Sequence, residues 1–167
     1  VMIAFLFLYG FIIGQRGLEL ALAERNRRYM MENGGVEFGR SHYKWFIMTH
    51  VAFFISLGIE AFVINEPVSF SIILFSLFIV LQAARIWCIA SLGKYWNTRV
   101  IVLPTASLVN RGPYHYFKHP NYIIVGLELL IIPLLFEAWV TAIIFPIVHI
   151  LLLTVRLPIE NKALGRP

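Results

Sequence analysis

The sequence predicts an all-α membrane protein of five transmembrane helices ending in a C-terminal helical hairpin, and three observations predict it. Hydrophobic residues make up 59% of the 167 residues and charged ones only 14%, with a mean hydropathy of +0.78. A soluble domain of this size has no interior able to bury so much apolar surface. Five apolar windows lie at roughly 1–22, 45–65, 69–92, 122–136 and 139–157, most of them near the ~20 residues that cross a hydrocarbon core. Outside these windows, Lys and Arg occur only after the first (Arg25, Arg27, Arg28, Arg40, Lys44), the third (Lys94, Arg99, Arg111, Lys118) and the fifth (Lys162, Arg166). The positive-inside rule then puts the N-terminus outside and the C-terminus in the cytoplasm.

Taken in order, the first window opens at Val1-Met2-Ile3 without the basic start or small-residue cleavage site of a signal peptide, and reads as a retained helix. Glu19 to Met31, rich in Arg, reads as an amphiphilic stretch on the inner leaflet. Runs such as Ile72-Ile73-Leu74-Phe75 lie in windows too long for strands and lack period-two alternation, so helix is the expectation. Turns are expected at Asn65-Glu66-Pro67 and Phe136-Glu137-Ala138. Between the third and fourth windows, residues 93–121 are too polar to cross a bilayer and too long for a simple connector; they include a β-prone run, Val100-Ile101-Val102-Leu103. The fourth window, with ~15 residues, rises only about 22 Å, so it starts within the membrane interface. The organisation is one transmembrane domain: three N-terminal helices over 1–92, a loop over 93–121 on the cytoplasmic side, and a hairpin with a C-terminal segment over 122–167.

Composition also narrows the partners. The net charge of +5 is scattered through inter-helix segments and lacks the clustered stripe that a phosphate backbone selects, so no nucleic acid is expected. The lone cysteine, Cys88, rules out an intrachain disulfide. The expected partners are the lipid bilayer and a lipophilic small molecule.

Polar groups inside apolar helices need partners or a cavity. Gln82 and Arg85 lie one turn apart on the third helix, Asn121 and Glu128 share a face of the fourth, and His149, Arg156 and Glu160 stand at spacings of seven and four on the fifth. These faces are expected to meet in the cytoplasmic half of the bundle, either as a site or as interhelical contacts of about 1 kcal/mol each. His115 and His119 have the spacing of a metal pair on a helix, but Gly112-Pro113 and Pro120 flank them and no further ligand stands nearby in the loop, so no metal is expected. Tyr114, Tyr116, Phe117 and Tyr122 suit an interfacial belt.

The run Arg111-Gly112-Pro113-Tyr114-His115-Tyr116-Phe117-Lys118-His119-Pro120-Asn121-Tyr122, followed by a hairpin and then Arg156-Leu157-Pro158-Ile159-Glu160, resembles the isoprenylcysteine carboxyl methyltransferase family. That family's pattern is Gly-x-Tyr, Arg-His-Pro-x-Tyr, two helices, then Arg and a Glu-Glu pair. Leu92-Gly93-Lys94-Tyr95-Trp96 resembles its Leu-Gly-x-x-Trp run ahead of the loop. The resemblance spans roughly residues 80 to 164; Lys118 stands where the pattern has Arg, and Asn161 where it has a second Glu. The resemblance implies that the loop and the hairpin ends enclose S-adenosylmethionine, while a lipid substrate arrives sideways from the membrane. It implies that Leu108, Val109, Tyr114, Lys118, His119 and Glu160 bind the cofactor, and that Arg156 or Arg85 orients the acceptor. The implied reaction is methylation of a carboxylate or acidic hydroxyl on an isoprenylcysteine-like or polyketide-like lipid, which needs no dedicated base when the acceptor is already charged. Two other readings share parts of the pattern: a phospholipid N-methyltransferase, whose amine would need a base, and a sterol-type NADPH reductase, which has more helices. The non-enzymatic alternative is a membrane scaffold, for which residues 93–121 are a linker.

Overall fold

The computed structural model describes residues 2–65 and 69–165. Of the expected turn Asn65-Glu66-Pro67, Glu66 and Pro67 lie outside the described residues, as do Val1, Arg166 and Pro167. Among the described residues five α-helices form: α1 (Met2–Glu32), α2 (Arg40–Ile59), α3 (Ile72–Leu92), α4 (Pro120–Leu135) and α5 (Trp139–Ala163). A wider π-helical turn, Glu60–Asn65, extends α2. Four of the helices are long and apolar enough to cross a membrane, and α4, at 16 residues, is a shorter apolar helix. The protein is an integral membrane protein built mostly of helix.

α1 and α5 run past their expected ends for identifiable reasons, and α2 starts at Arg40, ahead of its apolar window. α1 runs on to Glu32 instead of ending near residue 22 and giving way to a separate surface stretch. No Gly or Pro interrupts residues 18–32, and Glu24 pairs with Arg27 (2.8 Å) and Arg28 (3.3 Å) one turn further on. With 31 residues the helix is about 46 Å long, well beyond the ~30 Å of a hydrocarbon core, so hydropathy marks only its apolar part. α5 likewise passes through Pro158 to Ala163. A proline removes one backbone hydrogen bond without necessarily ending a helix held by its neighbours. This continuation carries Glu160 and Asn161 one turn beyond Arg156.

Two short strands were only half foreseen. Val100–Val102 (β2) pairs antiparallel with Val36–Phe38 (β1), Val36 opposite Val102 and Phe38 opposite Val100. The pair ties the segment after α1 to the 93–121 loop. The extension of α1 grips the same loop: Asn26 Nδ2 donates to the carbonyls of Gly93 (3.0 Å) and Trp96 (2.7 Å), and Asn97 Nδ2 donates to the Ala23 carbonyl (2.9 Å).

Apolar packing concentrates at the opposite end of the bundle, where Phe5, Ile12, Phe53, Leu57, Phe78, Ile132, Phe136 and Phe145 form the main core. The α4–α5 reversal lies there, with Glu137 at φ 56° and Ala138 N donating to the Pro133 carbonyl at 2.8 Å. Ala138 cannot cap α5 with its own side chain. Glu60 does so from the end of α2, accepting from Val140 N (2.7 Å), Thr141 N (2.8 Å) and Thr141 Oγ1 (2.7 Å). A carboxylate at a helix N-terminus also complements the helix dipole.

Candidate active site: two cavities and a shared wall

With the core at one end, the loop end of the bundle is left hollow. A cavity of about 410 Å³ lies among the helices, lined by apolar residues of α1 and α2 such as Ile13, Leu20, Ile47, Val51 and Phe54, and by polar residues of α3, α4 and α5. A second cavity, of about 160 Å³, lies under the 93–121 loop between β2, Tyr95, Tyr114 and the end of α5. Leu92, Asn97, Tyr114 and Glu160 line both and form the wall between them.

The loop reaches this position because Gly112 docks it on α3. Gly112 has φ +58°, and a Cβ there would fall 2.2 Å from Ser91 Oγ and 3.0 Å from Trp87 Nε1, so only glycine satisfies both the backbone and the contact. Next to it Arg111 Nε donates to the Ser91 carbonyl at 2.8 Å. Tyr114 follows, half-buried beside Cys88; desolvation is the main cause that pushes its phenol well above the ordinary range, so it stays a neutral donor.

At the wall, the hairpin ends supply a polar cluster. Tyr122, from the first turn of α4, donates its hydroxyl to Glu160 Oε2. Arg156 Nε donates to the same hydroxyl at 2.5 Å, its Nη2 donates to the Thr98 carbonyl at 2.6 Å, and its guanidinium lies 4.7 Å from the Phe46 ring centroid. His119 Nδ1 lies 3.3 Å from Glu160 Oε1, and its Nε2 lies 2.8 Å from Asn161 Oδ1. The residue that stands in place of the second Glu therefore holds the far side of the His119 ring.

A second cluster sits deeper between the helices. Arg85 makes a two-point contact with Glu19, Nε to Oε1 at 2.7 Å and Nη2 to Oε2 at 2.6 Å, and its Nη1 donates to Glu128 Oε2 at 2.9 Å. Arg16 bridges the same two carboxylates at 2.8 and 2.7 Å. Gln82 donates to Glu128 Oε1 at 2.9 Å and accepts from Gln15 at 2.6 Å. Two guanidiniums face two carboxylates, so the cluster is neutral as a whole and its charges are paired, as burial away from water demands.

The residues singled out from sequence divide as follows. Leu108, Val109, Tyr114, Lys118 and Glu160 line the loop cavity; His119, Arg156 and Arg85 line the larger one, together with Tyr114 and Glu160. Arg85 is engaged by Glu19 and Glu128, whereas Arg156 keeps its Nη1 without a partner among the described residues. His115 is exposed and packs edge-on against Tyr116, on the surface rather than beside His119 in the cavity wall. No group of three metal-ligating side chains occurs among the described residues. Sequence reasoning missed Arg16, Glu19 and His50 in the cavity lining. Arg16 and Glu19 are charges inside an apolar window, and the argument that singled out Gln82 and Arg85 would have found them.

Comparison with known proteins fits this geometry. The model of the isoprenylcysteine carboxyl methyltransferase (ICMT) family matches residues 72–166, which run from the start of α3 through the loop and the hairpin. The chain is 43% identical over 161 residues to a Bacillus subtilis (strain 168) protein named "Uncharacterized protein YpbQ", covering 96% of each chain. It is 24% identical over 161 residues to an uncharacterized protein of Haemophilus influenzae, covering 92% of this chain and 91% of that one. No solved structure matches. The family match covers more than half of the chain, and the chain belongs to the isoprenylcysteine carboxyl methyltransferase family, a family of membrane methyltransferases.

Proposed function

We propose that this protein is an S-adenosylmethionine-dependent methyltransferase that methylates a carboxylate or an acidic hydroxyl of a lipophilic acceptor. The observation that carries the reading is the pair of cavities: one under a polar loop, one among apolar helices, meeting at Leu92, Asn97, Tyr114 and Glu160. The residues of the loop cavity fit the cofactor's chemistry. The Tyr95 and Tyr114 faces and the Glu160 carboxylate suit a cation, Lys118 suits a carboxylate, and Leu103, Leu108 and Val109 offer apolar surface to a base. When bound, such a cofactor supplies a methyl group made electrophilic by its sulfonium.

The other roles belong to the chain. His119 and Asn161 hold Glu160 in register from the hairpin ends. Arg156, fixed by Tyr122 and Thr98, has Nη1 left to orient an acceptor oxygen by a charge-assisted hydrogen bond. Arg85 builds the deeper cluster and so shapes the acceptor cavity. The acceptor's tail would leave between α1 and α2. These helices are tied at Tyr9, whose hydroxyl donates to the Phe54 carbonyl at 2.7 Å, while Ile13, Leu20, Ile47 and Val51 nearer the loop line the cavity and are exposed on its lipid side. All five helices would cross or enter the bilayer, α4 from the interface, with the N-terminus outside and the 93–121 loop in the cytoplasm, as the Lys and Arg distribution favours.

The test is transfer of labelled methyl from S-adenosylmethionine to long-chain carboxylates and phenols by purified protein in detergent. Label in the lipid phase that disappears with Glu160→Gln supports the reading. Well-folded protein that labels no amphiphile and binds no S-adenosylhomocysteine overturns it.

A further inference from the structure

A backbone carbonyl only accepts hydrogen bonds, so a histidine bonded to one must donate there, and the neutral ring then keeps its lone pair on the other nitrogen. Two histidines of the larger cavity are pinned in this way. His149 Nε2 donates to the Tyr122 carbonyl at 3.0 Å, and His50 Nδ1 donates to the Phe46 carbonyl at 2.8 Å. The nitrogen left on His149 is Nδ1, on the backbone side of a ring that is 3% exposed. The nitrogen left on His50 is Nε2, at the tip of a half-buried ring, with no partner among the described residues. His50 stands one helical turn from Phe46, whose ring lies under the Arg156 guanidinium.

The wall around it is balanced in charge. Arg16, Arg85 and Arg156 line the cavity, and Glu19, Glu128 and Glu160 pair with them. A hydroxyl acceptor arrives neutral at such a wall but must lose a proton during transfer, whereas a carboxylate needs no base. Trp96, 2% exposed, belongs to the lining of the same cavity, and its Nε1 is buried with no partner among the described residues. Being only a donor, it suits an acceptor's oxygen.

We propose that His50 is the base that receives the proton of a hydroxyl-bearing acceptor, an inference that rests on the methyltransferase reading above. The O–H bond breaks, its electron pair forms the O–CH₃ bond, and the proton goes to His50 Nε2. The CH₃–S bond breaks with its pair going to sulfur, which leaves the methyl ether and S-adenosylhomocysteine. The imidazolium shares the cavity with Arg16 and Glu19 of α1, Arg85 of α3, and His149, Arg156 and Glu160 of α5. It returns its proton to water when product leaves.

The experiment has two parts. In cofactor-free protein, a dodecyl-nitrophenol is titrated by its phenolate absorbance. The apparent pKa of the bound probe is lower in wild type than in His50→Gln by about one unit. With S-adenosylmethionine, methyl transfer to a series of dodecyl phenols falls about a hundredfold in His50→Gln for the weakly acidic members and far less for the nitrophenol already ionised at the assay pH. S-adenosylhomocysteine binding stays unchanged, and His50→Asn replaces the Gln variant if it does not. Equal probe pKa values, or an equal loss across the acidity series, overturn the role of His50. Failure of wild type to bind S-adenosylhomocysteine overturns instead the cofactor reading beneath it.

Discussion

Replacing Glu128 with Gln removes one charge from the centre of the helix bundle and exposes what holds α1, α3 and α4 together. The Glu128 side chain is 2% exposed and receives Arg16, Arg85 and Gln82 at 2.7 to 2.9 Å. In the variant both guanidiniums share Glu19 alone, and the cluster passes from neutral to a net charge of +1 in a region with little water. Removing one partner of a buried ion pair costs about 3–5 kcal/mol. The new amide keeps its oxygen as an acceptor for one arginine, which places Glu128→Gln near the lower end of that range. Adding Arg16→Gln restores neutrality and leaves the two-point Arg85–Glu19 contact intact, so the double variant regains at least half of the loss. The assay is reversible unfolding in mixed micelles, run as a double-mutant cycle. A single-variant loss below about 1 kcal/mol, the scale of an exposed pair, or a double variant no better than the sum of its parts, would refute this account of the cluster.

Three further perturbations follow from the geometry. Glu60→Ala takes away all three acceptor contacts at the start of α5 and lowers stability by about 2 kcal/mol, while S-adenosylhomocysteine affinity, measured on the folded fraction, stays within twofold. Gly112→Ala forces a side chain into Ser91 and Trp87 at a positive φ; the loop lifts from α3 and cofactor affinity falls at least about tenfold, a loss of about 1.4 kcal/mol, partly recovered by adding Ser91→Gly. Asn161→Ala releases one side of His119 and weakens S-adenosylhomocysteine binding about threefold to tenfold, or about 1 kcal/mol, with the melting temperature unchanged.

The helices were legible because apolar windows report lipid contact directly, and the α5 residues His149, Arg156 and Glu160 could be placed on one face from spacing alone. The partners they meet were not legible. Arg85 and Glu128 were recognisable as charges needing compensation, and Arg16 and Glu19 were open to the same argument inside the first apolar window, but no spacing in the sequence pairs a charge on α1 with one on α3 or α4. β1 was missed because three residues give no periodic signal and their partner, β2, begins more than sixty residues later. The clasp of the loop by Asn26 and Asn97 depends on the unforeseen extension of α1. The motif around His119 and Glu160 was readable as a family pattern, whereas the exchange that lets Asn161 reach the His119 ring emerges only once α5 continues past Pro158.

The central claim is that the loop cavity binds the cofactor at a wall shared with the acceptor cavity. Calorimetric titration of S-adenosylhomocysteine into the detergent-solubilised protein, beside His119→Ala and Glu160→Gln, tests it most directly. The account predicts saturable one-to-one binding by the wild type, weakened by at least about tenfold, or about 1.4 kcal/mol, in each variant with the fold intact. Wild-type affinity retained in both variants, or no binding by well-folded wild type with and without added lipid, would contradict it.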